Sequence, residues 1–230
     1  MPFRGPMGHG GEDPRERLCR ELAEAAAEDG AARTPSHDLD HVRRVVGLAR
    51  RIARAEGADE GLASCAAWLH DIERAAEDRG GPDHAVAGAA TARRLLAGRP
   101  ELTAAQVDAI ADAIECHRFR SARAPSTPLA RCLFDADKLD AMGAVGVGRA
   151  YMMAGERAQR LHTRVPGTAA PRHMRDIEQG AYSPVEEWMV KLRHLEGAMT
   201  TAEGRRLASA RAAFMESFFE QLELEVKCSR

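Results

Sequence analysis

The chain has 230 residues, 44% of them apolar and 30% charged, a balance that excludes a disordered tail. Its 33 basic and 35 acidic residues leave a formal charge of -2, so no global positive excess points to nucleic acid or to an anionic membrane as partner. No apolar run approaches the roughly 20 residues that span a bilayer. The five scattered cysteines form no CxxC pair, which argues against a disulfide framework or zinc ribbon and for a reducing compartment, here the cytoplasm.

Residues 1–12 are rich in glycine and proline and lack the apolar core of a secretory signal, so disorder is expected there. Asp13-Pro14 opens the first helix with a cap and a proline at the first position, continued by Leu18, Leu22 and Ala25. A break at Thr34-Pro35-Ser36 precedes a helix over roughly 39–56, with Val42, Val45, Val46, Ala49, Ile52 and Ala53 on one face and Gly57 as its stop. Residues 59–72 read as a third helix leading through Leu62, Cys65, Ala66 and Leu69 into His70-Asp71; Cys65, like Cys132, sits in an apolar run as an inert core residue. A polar run from Glu73 to Pro82 interrupts. Asp83 then caps a helix to about 97, and Thr103 with Gln106 makes a capping box for one reaching about 117.

Residues 118–128 read as loop, and the helical pattern resumes from about 127 to 161, with a kink at Gly143. The stretch 163–182 is irregular, with Pro166, Gly167, Pro171 and Gly180. Ser183-Pro184 with Glu186 caps a further helix, and Thr200 with Glu203 the last, whose apolar stripe is Leu207, Ala210, Phe214, Phe218 and Leu222. No strand alternation and no internal repeat is found. The expectation is an all-α domain over 13–226, with a metal-binding core at about 35–150 and C-terminal helices over 183–226. The last helix is expected to pack on the core, with a homodimer seam as the alternative.

Four positions carry the chemistry: His41, the doublet His70-Asp71, and Asp137. Two imidazoles and two carboxylates suit a divalent cation with coordination positions left for water and substrate. Neighbours on a helix point about 100° apart, so His70 and Asp71 reach one ion only where the helix unwinds. Asp135-Ala136-Asp137-Lys138-Leu139-Asp140 sets three carboxylates among apolar residues, a costly arrangement that a bound cation offsets.

In order, His41-Val42-Arg43-Arg44-Val45, Ala66-Ala67-Trp68-Leu69-His70-Asp71-Ile72 and Asp135 to Asp140 resemble three signatures of the HD-domain superfamily of metal-dependent phosphohydrolases. The chain is also similar to one bacterial branch in His37-Asp38, in the run Asp140 to Arg149, and from Thr201-Ala202-Glu203-Gly204 through Phe214-Met215-Glu216; the resemblance covers about residues 35–223. It implies a mononuclear site on His41, His70, Asp71 and Asp137, holding Mn2+ or Mg2+ in the first place and Co2+, Ni2+, Zn2+ or Fe as alternatives. Some members add two histidines and a second ion bridged by the doublet aspartate. Here those histidines are His84 and His117; beside a single ion they would contact phosphate and donate a proton, respectively.

The activity implied is hydrolysis of phosphate or pyrophosphate bonds in a nucleotide, without membrane or nucleic-acid partners. Asp71, Glu73 and His117 are the catalytic candidates, with Glu73 or its rival Asp78 orienting water. Lys138, Arg44, Arg118 and His84 are the substrate-binding candidates, with Arg120 beside them. Asp140 and Asp38 are expected to fix an imidazole or a helix end, and Asp135 has no assigned role. Arg157, Arg160, His162, Arg164, Arg172, His173 and Arg175 form a basic stretch, read as a solvated loop or as a cover that recruits polyphosphate. A di-iron, O2-dependent oxygenase and a non-catalytic nucleotide sensor are the competing functions.

Overall fold

The computed structural model describes residues 12–28, 38–119, 123–163 and 183–228. Every long regular element in them is α-helical, and no strand occurs among the described residues. In chain order they are α1 (Pro14–Glu28), α2 (Leu39–Glu56), α3 (Glu60–Leu69), α4 (Arg74–Asp78), α5 (His84–Leu96), α6 (Ala104–Glu115), α7 (Pro128–Asp140), α8 (Gly143–Glu156), α9 (Pro184–Val190) and α10 (Ala202–Val226). Two short 3-10 turns, Leu192–His194 and Glu196–Ala198, link α9 to α10. The expected disorder falls, except for Glu12, outside the described residues, as do Arg120 and Arg164, Arg172, His173 and Arg175 of the basic stretch. No helix is long and apolar enough to cross a membrane among the described residues.

Side-chain caps start most of these helices. Asp38 accepts the His41 N–H at 3.0 Å, Asp59 that of Leu62 at 2.9 Å, and Asp83 that of Ala85 at 2.9 Å; Thr103 and Ser183 form reciprocal capping boxes with Gln106 and Glu186. Each satisfies N–H groups that the first turn leaves without an intrahelical partner, for about 1 kcal/mol apiece. Two of them also place the site, since His41 lies in the first turn of α2 and His84 is the first residue of α5.

Every residue from Ala63 to Leu69 is buried, so α3 has no solvent face and runs between α1, α2, α6 and α7. Its small side chains let those neighbours approach closely, which is how ten aromatics suffice for a chain of this length. Ile52, Leu69, Ile110, Ile114, Leu133 and Leu139 fill the remaining space. Because α3 is buried, its end delivers the next two residues to the interior. The backbone there continues as tighter turns, Ile72 N–H to Leu69 O at 3.2 Å and Arg74 N–H to Asp71 O at 3.0 Å.

The structure corrects several local expectations. The helix expected over 127–161 is two: α7 ends at Asp140, and Gly143 takes φ 71° against Arg211, whose Cγ would lie 3.0 Å from an added Cβ. The polar run after Glu73 contains α4. The last helix is capped by Thr201 rather than Thr200, and its buried stripe is Gly204, Ala208, Met215 and Phe219, leaving Phe214 46% exposed. One residue accounts for both changes. Asp135, fully buried on α7, accepts the N–H and hydroxyl of Thr200, both at 2.9 Å, and those of Thr201 at 2.8 and 2.6 Å. Gly204 packs so closely on the Asp135 carboxylate that no Cβ would fit, and the bonds from Thr201 to Asp135 fix the start of α10. Phe219 then stacks on Trp188 of α9 at 5.1 Å, and Phe218 meets Tyr151 of α8 edge-on at 6.0 Å.

Candidate metal centre

The first turn of α2 supplies His41, the unwound end of α3 supplies His70 and Asp71, α5 supplies His84, the turn after α6 supplies His117, and the last turn of α7 supplies Asp137. All four histidines and Asp71 are buried; the Asp137 side chain is 16% exposed. Asp71 stands at the middle. Its Oδ2 lies 3.6 Å from the Nε2 atoms of both His41 and His70, and its Oδ1 lies 3.3 Å from His84 Nε2 and 3.9 Å from His117 Nε2. Asp137 Oδ1 joins the first group, 3.6 Å from His41 Nε2 and 3.9 Å from His70 Nε2. Two donor clusters therefore share one carboxylate: His41, His70 and Asp71, with Asp137 alongside, and Asp71, His84 and His117.

The other ring nitrogens decide the tautomers. His70 Nδ1–H donates to Ala67 O at 2.8 Å and His117 Nδ1–H to Ile114 O at 2.6 Å. His41 Nδ1–H donates to Asp140 at 2.7 Å, and His84 Nδ1–H to Glu77. In a neutral ring so anchored, Nε2 is a bare lone pair turned inward. Burial pushes the His117 imidazole down to about 3 and lowers that of His41, so both are neutral near pH 7. Yet the Nε2 atoms of His41 and His70 face each other at 3.3 Å, and those of His84 and His117 at 3.1 Å. Opposed lone pairs at that distance repel unless a proton or a metal ion lies between them. Ligand atoms about 2.1 Å from one ion sit about 3.0–3.4 Å apart, so the donor set fits two divalent cations.

The carboxylates agree. Burial pushes Asp71 up, but the positive charge that His70, His41, His84 and His117 acquire when protonated outweighs it and holds the group far below the usual carboxylate range. For Asp137 burial is likewise outweighed, first by Lys138 and then by His70, His117 and His41. Asp140 carries no ligand role; it accepts from His41, from Arg44 Nε at 2.7 Å and from Arg149 at 3.1 Å, and so aims the imidazole.

The centre opens into a cavity of about 240 Å³ lined by five cationic side chains, Arg74, Arg118, Lys138, Arg149 and Lys191. Of the substrate-binding candidates, Lys138, Arg118 and His84 line it; Arg44 does not, being committed to Asp140. Glu73 does not line it either, since its carboxylate accepts the Thr91 hydroxyl at 2.7 Å. Asp78 pairs with Arg74 at 3.2 Å. Of the basic stretch, His162 pairs with Glu223 at 2.7 Å. Sequence reasoning missed Glu77, Arg74, Phe119 and Lys191. Glu77 carries no local mark that separates it from Glu73 or Asp78, and Lys191 lies far along the chain, brought in by α9.

The chain belongs to the HD-domain class: residues 38–142 match the HD domain family. Bacillus subtilis YpgQ, an uncharacterized protein, is 32% identical over 193 residues, which is 83% of this chain and 84% of that one. Among solved structures, one from Lactobacillus plantarum superposes with a TM-score of 0.70 at 26% identity, covering 94% of this chain and 99% of that one. A predicted HD-superfamily hydrolase from an uncultured Thermotogales bacterium does so with a TM-score of 0.64 at 27% identity, covering 92% and 93%. YpgQ in complex with ADP gives 0.67 at 26%, covering 90% and 97%. The chain has the fold of an HD-superfamily hydrolase.

Proposed function

We propose that the protein hydrolyses phosphate or pyrophosphate bonds in nucleotides, using Mn2+ or Mg2+. The observation that carries this is a carboxylate-centred imidazole cluster opening into a cavity ringed by five cations. Divalent ions bound by these donors supply polarisation of the phosphoryl oxygens and hydroxide near neutrality. The protein's own contribution is positioning and charge. Asp71 presents one oxygen to each histidine pair and so sets the spacing of the two clusters. Lys138 pairs with Asp137 and reaches the cavity, where with Arg74, Arg118, Arg149 and Lys191 it would offset phosphate charge. With the His41 cluster alone filled, His117, kept neutral by burial, would accept a hydrogen bond from water at Nε2 and holds no proton there to donate. The ADP bound by YpgQ supports a nucleotide ligand.

The test is a panel of nucleotides assayed with Mn2+, Mg2+, Co2+ and Ni2+, following orthophosphate and pyrophosphate together. Release of either, abolished by chelation, supports the proposal, and the product separates phosphomonoesterase from pyrophosphohydrolase. Protein that binds the ions but releases neither product defeats it; nucleotide binding without turnover would leave a sensor. The His84 cluster also favours a second reading, di-iron oxidation with O2. Two irons after aerobic purification and a mixed-valence signal would support that reading. Five basic side chains line the cavity, each ion-paired with a carboxylate, and an anionic substrate would compete for them where a neutral one would not.

A further inference from the structure

The four imidazoles of the centre are anchored unequally. His70 and His117 lean on backbone carbonyls three residues back, which no side-chain change can remove. His41 leans on Asp140, 1% exposed and itself gripped by Arg44 and Arg149. His84 differs. Its Nδ1–H meets Glu77, a carboxylate on the five-residue α4 whose side chain is 23% exposed. That carboxylate is also shared, with Arg118 at 2.8 Å and Arg74 at 3.8 Å.

We infer that Glu77 is the positioning residue of a second cation site, formed by His84 Nε2, His117 Nε2 and Asp71 Oδ1, and sets how tightly that site holds a divalent ion. This rests on the two-cluster reading above. A carboxylate that accepts Nδ1–H keeps Nε2 bare and makes it a stronger donor. Without it the ring is free to rotate or to place its proton on Nε2, facing the ion. The second cluster is the more vulnerable of the two. It has three protein donors where the first has four, and it borrows its carboxylate, so one misaimed imidazole leaves too few ligands. Loss of such an anchor weakens metal binding about 10–100-fold.

The experiment is titration of Mn2+ into chelator-stripped full-length protein, read by calorimetry and by electron paramagnetic resonance, for wild type, Glu77→Ala and Glu77→Gln. Wild type is expected to take two ions, the first more tightly. Glu77→Ala should keep the first affinity within about threefold and lose about 10–100-fold in the second, with the coupled two-ion spectrum giving way to a single-ion pattern. Glu77→Gln, which retains an oxygen acceptor without the charge, should fall between; if the alanine variant does not fold by circular dichroism, the weakening in Glu77→Gln carries the test. An unchanged second affinity in the folded variants overturns the role of Glu77 and leaves the two-cluster reading standing. Wild type that takes only one ion overturns both. Equal weakening of the two ions also overturns the inference, because it reports general loosening.

Discussion

Asp135 and Asp137 stand two residues apart on α7, and because that spacing turns side chains about 200° around a helix they meet different neighbours. Asp135 accepts N–H and hydroxyl groups from Thr200 and Thr201 at 2.6 to 3.1 Å, so its charge is satisfied by donors. Asp137 faces the Nε2 atoms of His41 and His70 and pairs with the neighbouring Lys138. Asp135 is fully buried and the Asp137 side chain 16% exposed, a difference too small to separate their roles. The neighbours do: a carboxylate among donors ties two helices together, whereas a carboxylate among lone pairs marks a place for a cation.

The largest expected effect comes from the carboxylate that both clusters share. Asp71→Ala should abolish stoichiometric metal binding and lower turnover by about a thousandfold or more, with helical content nearly unchanged by circular dichroism; retained activity would defeat the centre altogether. Next, the two α7 variants should split. Asp137→Ala is expected to cost about a hundredfold in turnover while the stripped protein melts close to wild type. Asp135→Ala should keep its Mn2+ affinity but lose about 3 kcal/mol, or about 6–12 °C in Tm, because several buried donors are stranded. Metal loss from Asp135→Ala, or a large drop in Tm for Asp137→Ala, would reverse the distinction.

Acid should sharpen the same contrast. Burial lowers the His117 imidazole to about 3 from an ordinary 6.5 and depresses His41, so the unfolded chain takes up those protons first and the folded state loses ground below pH 6.5. Asp71 and Asp137, held low against burial by the imidazoles and by Lys138, act in the same direction as pH falls through the ordinary 3.8. The imidazole contribution is complete above about pH 6.5 and is lost toward about pH 3, whereas the carboxylate contribution is complete above about pH 3.8 and is lost only below it. A Tm of stripped protein that stays flat from pH 7 to 4 would contradict this. The smallest effect is expected at Glu73, which serves Thr91: Glu73→Gln should keep turnover within about threefold.

Helix starts were legible because a cap is written within four residues: Asp38, Asp83, Thr103 and Ser183 need no distant partner. The break at Gly143 was legible as a weak point but not as a chain reversal, since the close approach of Arg211 from α10 is invisible locally. The stripe of α10 was only partly right for the same reason: Leu207, Phe218 and Leu222 pack against the core while Ala210 and Phe214 are exposed, because helical spacing offers adjacent faces and Asp135 on another helix favours one. In the site, the His-Asp doublet and the flanking His41 and Asp137 could be picked out from residue type and resemblance. Glu77 could not be distinguished from Glu73 and Asp78, which carry the same charge within a few positions.

By itself the sequence determined the helical class, the caps at Asp38, Asp83, Thr103 and Ser183, and the stock of imidazoles and carboxylates, because these depend on side-chain chemistry and on neighbours one turn away. Tertiary structure alone decided that Asp71 would serve two histidine pairs, that Asp135 would clamp α10, and that Arg44 would turn to Asp140 and not to the cavity. Those outcomes depend on which helix faces cross. Crossing is set by buried packing summed over the whole chain, so no single segment records it.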